Sequence, residues 1–449
     1  MKNLLMVCYH FPPDAAVGAI RVAKFAKYLP EFGWTPLVLT AKEKYYPITD
    51  QSRISEVIAH DKVFRSSVWP DSSVLYLWIK RWLYRTIGRE NLFEENENSY
   101  RGPDRVETGG RLRSLRRHLL SLLAVVDYIL GWIPPAILKA LLIMRRHKID
   151  CLYTSGPPHT AHIIGFVVKM LYGTRWVVDF RDPLILNPSI YNYRKKTKLS
   201  SAIEKWMERQ IVTHADKVIS VTKKMSQAFI ELYPEMKKEK FETIPNGYDP
   251  DDFIGLPRPL GNSKFKISYI GTFYRGRTPS DFLIAVRELI AELKIPRQNV
   301  EIHFIGPSHY SNGRSIEEMV RREGLASVTK LMASLPYKEA LREMAASHVL
   351  LLFATNQYYQ IPAKTFEYLA SGADIIALTS EGATADLLRE TGCGVIVEQD
   401  SIEELKKALE SYYQKYKTCN YQPRHLLSQK SLVRYSRKIL TKELASVLE

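Results

Sequence analysis

The chain is poor in the features that would place it quickly. Its 4 cysteines, at 8, 151, 393 and 419, show no paired spacing. They suggest neither a disulfide framework nor a zinc site, and they fit a reducing compartment. No uninterrupted apolar run approaches the roughly 20 residues needed to cross a bilayer. The opening MKNLLMVCYHFPPD holds a short apolar run closed at once by Pro12, Pro13 and Asp14. It reads as a buried first strand rather than a signal peptide. There is no repeat of fixed period and no long low-complexity tract, which argues against solenoid and fibrous classes. No Asp-x-Asp motif stands at a strand end, because Asp249 and Asp251 fall in a linker dense in Pro, Gly, Asn and Asp. Acids are also short: 48 Asp and Glu against 64 Lys and Arg give a net charge of +16.

What is present fits a two-domain enzyme. A length of 449 residues suits two domains of roughly 200 each, and 45% hydrophobic with 11% aromatic residues is ample for packed interiors. The charge is uneven. Between Arg111 and Lys148, Lys or Arg stands at 111, 113, 116, 117, 139, 145, 146 and 148 against one acid, Asp127. The stretch is also rich in Leu, Ile, Val and Trp, and Leu75–Arg89 (LYLWIKRWLYRTIGR) repeats the same chemistry. Two readings stand: core helices with solvated basic ends, or a basic surface bearing Trp132 that lies on an anionic membrane. Nucleic-acid binding is disfavoured, because no binding module is recognisable and the charge sits among aliphatic residues.

The remainder alternates strand and helix. Apolar strands are expected at Leu4–Tyr9, Trp34–Leu39, Cys151–Thr154, Trp176–Asp179, Phe265–Ile270, His303–Gly306 and Val349–Phe353, with a first helix over Ala19–Phe32. The polar 90–110 stretch is an excursion within the first half. This pattern predicts two doubly wound parallel α/β sheets whose ligands gather at the carboxyl ends of the strands.

Five loop segments carry candidate chemistry. In IPAKTFEYLASGADIIAL (361–378), Pro362 and Gly372 bracket a short helix. Lys364 falls in its first turn, where free N–H groups favour an anion, and Glu367 follows on about the same face. The plain alternative is a surface helix with an i,i+3 ion pair. GTFYRGRTP (271–279) sets Gly271 and the cations Arg275 and Arg277 before a helix, a phosphate cradle or an exposed basic turn. YHFPPDAAVGAIR (9–21) places Gly18 and Arg21 after the first strand; Arg21 can meet a phosphate. TSGPPHTAH (154–162) and VVDFRDP (177–183) offer His159, His162, Arg181 and Asp182. An Arg stays protonated and so binds rather than acts as a base, whereas Asp182 can orient a hydroxyl; the alternative is an Arg–Asp staple.

The 361–378 segment resembles the donor-binding stretch of retaining nucleotide-sugar glycosyltransferases of the GT-B fold, the large family numbered four. There a helix Glu followed by small residues, here Glu367 and Ala370-Ser371-Gly372, lies against the nucleotide. Many members carry a second Glu eight positions earlier; this chain has Tyr359. The 154–162 and 177–183 segments are similar to one branch of that family, with Arg181 where commoner members have a His. Ala15-Ala16 stand near the family's glycine pair, and IPNGYD (244–249) resembles its hinge.

The resemblance implies an acceptor-side domain over 1–245, a hinge at 246–264, a nucleotide-sugar domain over 265–424, and a C-terminal helix, 425–449, crossing back. It implies a hexosyl transfer with retention, no obligatory metal and no cofactor beyond the UDP- or GDP-linked donor. Donor contacts are expected from Gly18, Gly271, Arg275, Arg277, Lys364, Thr365 and Glu367. Arg181, Asp182 and Glu367 are expected at the reaction centre, with His159 and His162 on the acceptor side and Glu381–Ala383 near the donor. The acceptor expected is a glycan or polyprenyl-linked glycan at the inner membrane face, for surface polysaccharide. A non-hydrolysing nucleotide-sugar epimerase of the same fold is the alternative.

Overall fold

The structure is a computed structural model. It describes residues 1–56, 62–69, 129–186, 198–257, 264–273, 277–307, 309–355, 357–398, 401–418 and 430–449. The first half builds a seven-stranded sheet in the order β3-β2-β1-β4-β5-β6-β7. Its strands are β1 (Lys2–Val7), β2 (Trp34–Ala41), β3 (Val63–Ser66), β4 (Cys151–Gly156), β5 (Arg175–Phe180), β6 (Lys217–Ser220) and β7 (Phe241–Thr243). Every pairing in it is parallel. The second half builds a six-stranded parallel sheet, order β12-β9-β8-β13-β14-β15. These are β8 (Phe265–Ile270), β9 (Val300–Ile305), β12 (Thr329–Met332), β13 (Val349–Phe353), β14 (Asp374–Leu378) and β15 (Val395–Val397). A small hairpin, β10 (Tyr310–Ser311) and β11 (Arg314–Ser315), stands apart. Strands such as VLLLF are buried on both faces, so they read as continuous apolar runs rather than alternating ones.

In both sheets the order reverses beside the first strand, at β1/β4 and at β8/β13, and each reversal opens a crevice at the strands' carboxyl ends. Helix α1 (Val17–Tyr28) covers one face of the first sheet. It stops before Pro30, and a 3₁₀ turn over Leu29–Phe32 replaces the helix expected there. The opposite face carries α2 (Ile133–Arg146), α3 (Thr160–Tyr172), α4 (Lys198–His214) and α5 (Lys223–Leu232), packed on Leu5, Val7, Leu152, Trp176 and Val178. The second domain is wrapped by α6 (Ser280–Glu292), α7 (Ile316–Arg322), α8 (Tyr337–Ala345), α9 (Lys364–Ser371), α10 (Ala383–Thr391) and α11 (Ile402–Lys417).

The chain passes between the domains twice, and the two passes pair. Tyr248 N donates to Tyr435 O (3.1 Å), and Arg437 N donates to Tyr248 O (2.8 Å). The C-terminal helix does cross back, but not as one unit. Short α12 (Lys430–Val433) leads to Tyr435, and both feed the second domain's core. Ser436 then caps α13 (Arg437–Leu448), whose Leu440, Leu444 and Leu448 enter the first domain's core with Leu4 and Phe25. The break has a local cause, since a serine oxygen satisfies the N–H of Ile439 only where a new helix begins. Residues 419–429 lie outside the described residues.

Hinge acids hold the first domain. Lys24 reaches Asp249 (2.9 Å) and Asp252 (3.0 Å), and Lys27 reaches Asp249 (2.8 Å) and Asp251 (2.9 Å). Burial opposes ionisation of Asp249, yet Lys24, Lys27 and the Tyr28 hydroxyl keep its carboxyl at about 2. Asp249 and Asp251 are therefore committed to an ion-pair clasp.

The expected membrane segment needs correction. Trp132 is fully buried, its Nε1 donating to Ser66 Oγ (2.7 Å) and its ring meeting Tyr9 edge-on. It is a core residue, not a surface anchor. Leu75–Arg89 and Arg111, Arg113, Arg116 and Arg117 lie outside the described residues. Among the described residues no helix is long and apolar enough to cross a membrane.

Candidate functional site

The second domain's wall of the crevice is cationic where strands end. β8 ends at Ile270, whose carbonyl accepts from Lys364 Nζ (2.6 Å). Lys364 opens α9 as expected, after Pro362, and Gly372 closes it in the left-handed region. The Lys364 ammonium lies 4.0 Å from the centre of the Tyr269 ring. Gly271 adopts φ +152°, and a Cβ there would come 2.5 Å from Lys364 Nζ, so only glycine allows this approach. Arg277 is buried on the same side, its carbonyl accepting from Ser311 Oγ (2.8 Å). Burial first, then the field of Arg277, push Lys364 well below the usual lysine value, with Glu367 pulling the other way. Two cations in one partly desolvated corner repel each other, and an anion between them would relieve both.

Glu367 lies one turn further along α9 and is almost fully buried. Burial raises its carboxyl to about 7; Arg437 and Arg53 oppose the rise and Asp252 adds to it. The Tyr337 hydroxyl stands 3.4 Å away. Thr365, in the same first turn, is fully buried, and its hydroxyl has no hydrogen-bond partner among the described residues. Arg275 lies outside them. Glu381 precedes α10, and its carboxylate is held by Arg389 of that helix.

Arg21, Arg181 and Asp182 on the first domain's wall already have partners. Arg21, expected to meet a phosphate, is buried and spent elsewhere. Its Nε and Nη2 bind the two oxygens of Asp179 (both 2.9 Å), and it also donates to Ile244 O (2.8 Å) and Pro245 O (2.7 Å). Tyr153 and Ser155 add hydroxyls to Asp179 Oδ2 at 2.5 and 3.0 Å. Although burial opposes it, Arg21 holds Asp179 below the usual carboxylate range. This pair ties α1, β5 and the hinge together.

Arg181 lies at the crevice but folds back, donating to Gly156 O (3.3 Å) and to Pro157 O. Its guanidinium presses on Gly18, where a Cβ would overlap it. Any side chain at position 18 would force this guanidinium to move. Asp182 points across the crevice and accepts from Gln360 Nε2 of the second domain. The two neighbours diverge and do not form the Arg–Asp staple. His159 and His162 lie behind this surface, not on it. His162 Nδ1 bonds Thr154 Oγ1 (2.9 Å), and its ring packs on Phe180. Burial, then Arg181, push His162 down to about 3, so it is neutral at any working pH.

Sequence reasoning missed the seam that shuts the crevice. Asp50 of the first domain accepts from Tyr337 N (2.9 Å), capping α8 of the other domain, and Arg53 stacks over the Tyr337 ring. Tyr359 packs on the first domain's core, and its carbonyl accepts from Thr222 Oγ1 (2.6 Å). Arg437 is buried beside Glu367; burial, then Arg21, lower it to about 10. The only sequence signal for it was the cap at Ser436, and Asp50 and Arg53 had none.

Residues 99–252 match the family model described as Glycosyltransferase Family 4, and residues 264–415 match the one described as Glycosyl transferases group 1. No curated protein matches the chain. Several solved structures share its fold. Sucrose-phosphate synthase from Thermosynechococcus elongatus aligns with a TM-score of 0.63 and 14% identity, over 100% of this chain and 98% of that one. The Anabaena protein HepE in complex with UDP-glucose aligns at 0.59 with 14% identity, over 100% and 99%. WaaG, a glycosyltransferase involved in lipopolysaccharide biosynthesis, aligns at 0.57 with 13% identity, over 99% of each. The architecture is GT-B: two parallel-sheet domains facing a crevice.

Proposed function

With a glycosyltransferase family model on each domain, we propose that this protein moves a hexosyl group, with retention, from a nucleotide-sugar to a glycan or lipid-linked acceptor in surface polysaccharide assembly. The observation that carries the reading is the corner formed by Lys364, Arg277 and Gly271, with Glu367 one turn along the same helix. A nucleoside diphosphate matches it in charge and shape. Lys364, Arg277 and the start of α9 receive the diphosphate, and Glu367 accepts hydrogen bonds from sugar or ribose hydroxyls. As the glycosidic bond breaks, charge gathers on the departing phosphate, and cations fixed in a poorly solvated corner stabilise it where it forms. Asp182 orients the incoming hydroxyl once it leaves Gln360, and Arg181 stays a binding cation. The HepE complex with UDP-glucose favours a UDP-linked donor. The protein would then work at the inner face of the membrane, without an obligatory metal.

The test is incubation with UDP- and GDP-sugars, with and without polyprenyl-linked glycans, followed by NMR of the product's anomeric centre. Transfer only with acceptor, with the donor's configuration kept, is the expected result. Conversion of the donor sugar with no acceptor present would establish the epimerase instead.

A further inference from the structure

The outer surfaces of the two domains differ, and the difference sits on three helices. Leu138 and Leu142 of α2, Met170 and Leu171 of α3, and Leu199 and Trp206 of α4 are each 46–62% exposed. The helices are consecutive in one layer, with α3 packed against both α2 and α4. Their opposite faces, through Ala140, Ile164 and Ile211, are buried on the sheet. These apolar side chains therefore point outward by construction. Large apolar residues exposed in the second half, such as Ile254, Tyr310 and Val395, fall on separate elements and form no such group.

The same helices are one-sided in charge. They carry Lys139, Arg145, Arg146, Lys169, Lys198, Lys205 and Arg209, and α2 and α3 hold no acid at all. The only carboxylates on α4, Glu204 and Glu208, are both buried, and Glu208 is turned inward to the Tyr233 hydroxyl (2.8 Å). Among the described residues the three helices carry no exposed carboxylate, although Asp216 and Glu235 of neighbouring segments pair with Lys169 and Arg209 (2.7 Å each). A two-fold dimer through it would set cations against cations, since such an interface repeats the same patch on both sides. An anionic surface that also accepts apolar side chains complements it on both counts.

We propose that the outward face of α2, α3 and α4 is a docking surface for an anionic lipid bilayer, with Leu138, Leu142, Leu171 and Trp206 entering the interface and Arg145, Arg146, Lys198 and Lys205 meeting headgroups. Of the 70–149 segment that the sequence favoured, this keeps α2, and it adds α3 and α4, which lie outside that segment. It deepens the lipid-linked acceptor reading, yet vesicle binding needs no substrate, so docking and transfer fail separately.

The experiment is co-sedimentation of the full chain with phosphatidylcholine vesicles, with and without phosphatidylglycerol. Wild type should bind the anionic vesicles and release in high salt, within the reach of Debye screening. The variant Leu142→Glu/Leu171→Glu/Trp206→Glu should bind at least about tenfold more weakly, while its UDP affinity stays that of wild type. Should that variant fail to fold, Arg145→Glu/Arg146→Glu, at two exposed positions, should lower binding in the same direction. Equal binding to both lipids, binding to neither, or undiminished binding by a folded variant would overturn the proposal. So would a wild-type dimer in sedimentation velocity that the triple variant breaks, since the face would then join two copies.

Discussion

The two walls of the crevice use charge in opposite ways. On the first domain, the groups nearest the crevice are already held: Arg21 is matched by Asp179, Arg181 donates to two carbonyls, and His162 is neutral. On the second, Lys364 meets a carbonyl and the Tyr269 and Tyr368 rings among the described residues, and burial and Arg277 depress it against the pull of Glu367. A satisfied wall is a scaffold, and a wall under electrostatic tension is a receptor for charge. The walls differ because the first domain resolves its charges by long-range pairing, whereas the second crowds two cations around one glycine turn.

The largest effect should come from breaking the satisfied wall. Arg21→Ala leaves Asp179 buried and uncompensated, and it should cost about 3–5 kcal/mol of stability, read by urea denaturation. If Arg21 instead served the donor, the variant would keep its stability and lose UDP binding.

Next is the seam that lets the first wall meet the second. Asp50→Ala removes the cap that α8 receives from the other domain and should cost about 0.5–2 kcal/mol. The loss should appear as faster amide exchange at the start of α8, and an unchanged exchange pattern would show that the seam is not closed in solution.

The sign of the Glu367 effect sharpens the contrast. Its carboxyl is raised to about 7 in the folded protein from the usual value near 4.5. Between those values the folded state holds a proton that the unfolded state has lost, so stability falls as pH rises, and the cost is complete above about 7. Glu367→Gln should therefore raise the melting temperature at pH 8 by a few degrees, with little change at pH 4.5, and should weaken donor use. A variant that melts lower at pH 8 would mean that the buried carboxylate is compensated like those of the first wall.

How much of this was legible depended on range. Val349–Phe353 and Phe265–Ile270 were read to the residue, because a doubly covered strand announces itself by unbroken apolarity. The start and stop of α9 followed from Pro362 and Gly372, local signals that needed no tertiary context. The Arg21–Asp179 pair was not legible, since its partners stand 158 positions apart and the sequence shows only two charged residues. Trp132 misled for the related reason that a basic, Trp-bearing stretch looks alike whether the indole meets lipid or Ser66. Tyr359, the departure from the family's pattern, became intelligible only once it was seen packing on the other domain.

The central claim, that the second wall is a diphosphate receptor, is tested most directly by calorimetric titration of UDP into wild type and Lys364→Ala. Burial and Arg277 hold Lys364 well below the usual lysine value, and a bound diphosphate would relieve that depression. Lys364→Ala should bind UDP about tenfold or more weakly, a loss of about 1.5–3 kcal/mol. Equal affinity in the two proteins would contradict the account.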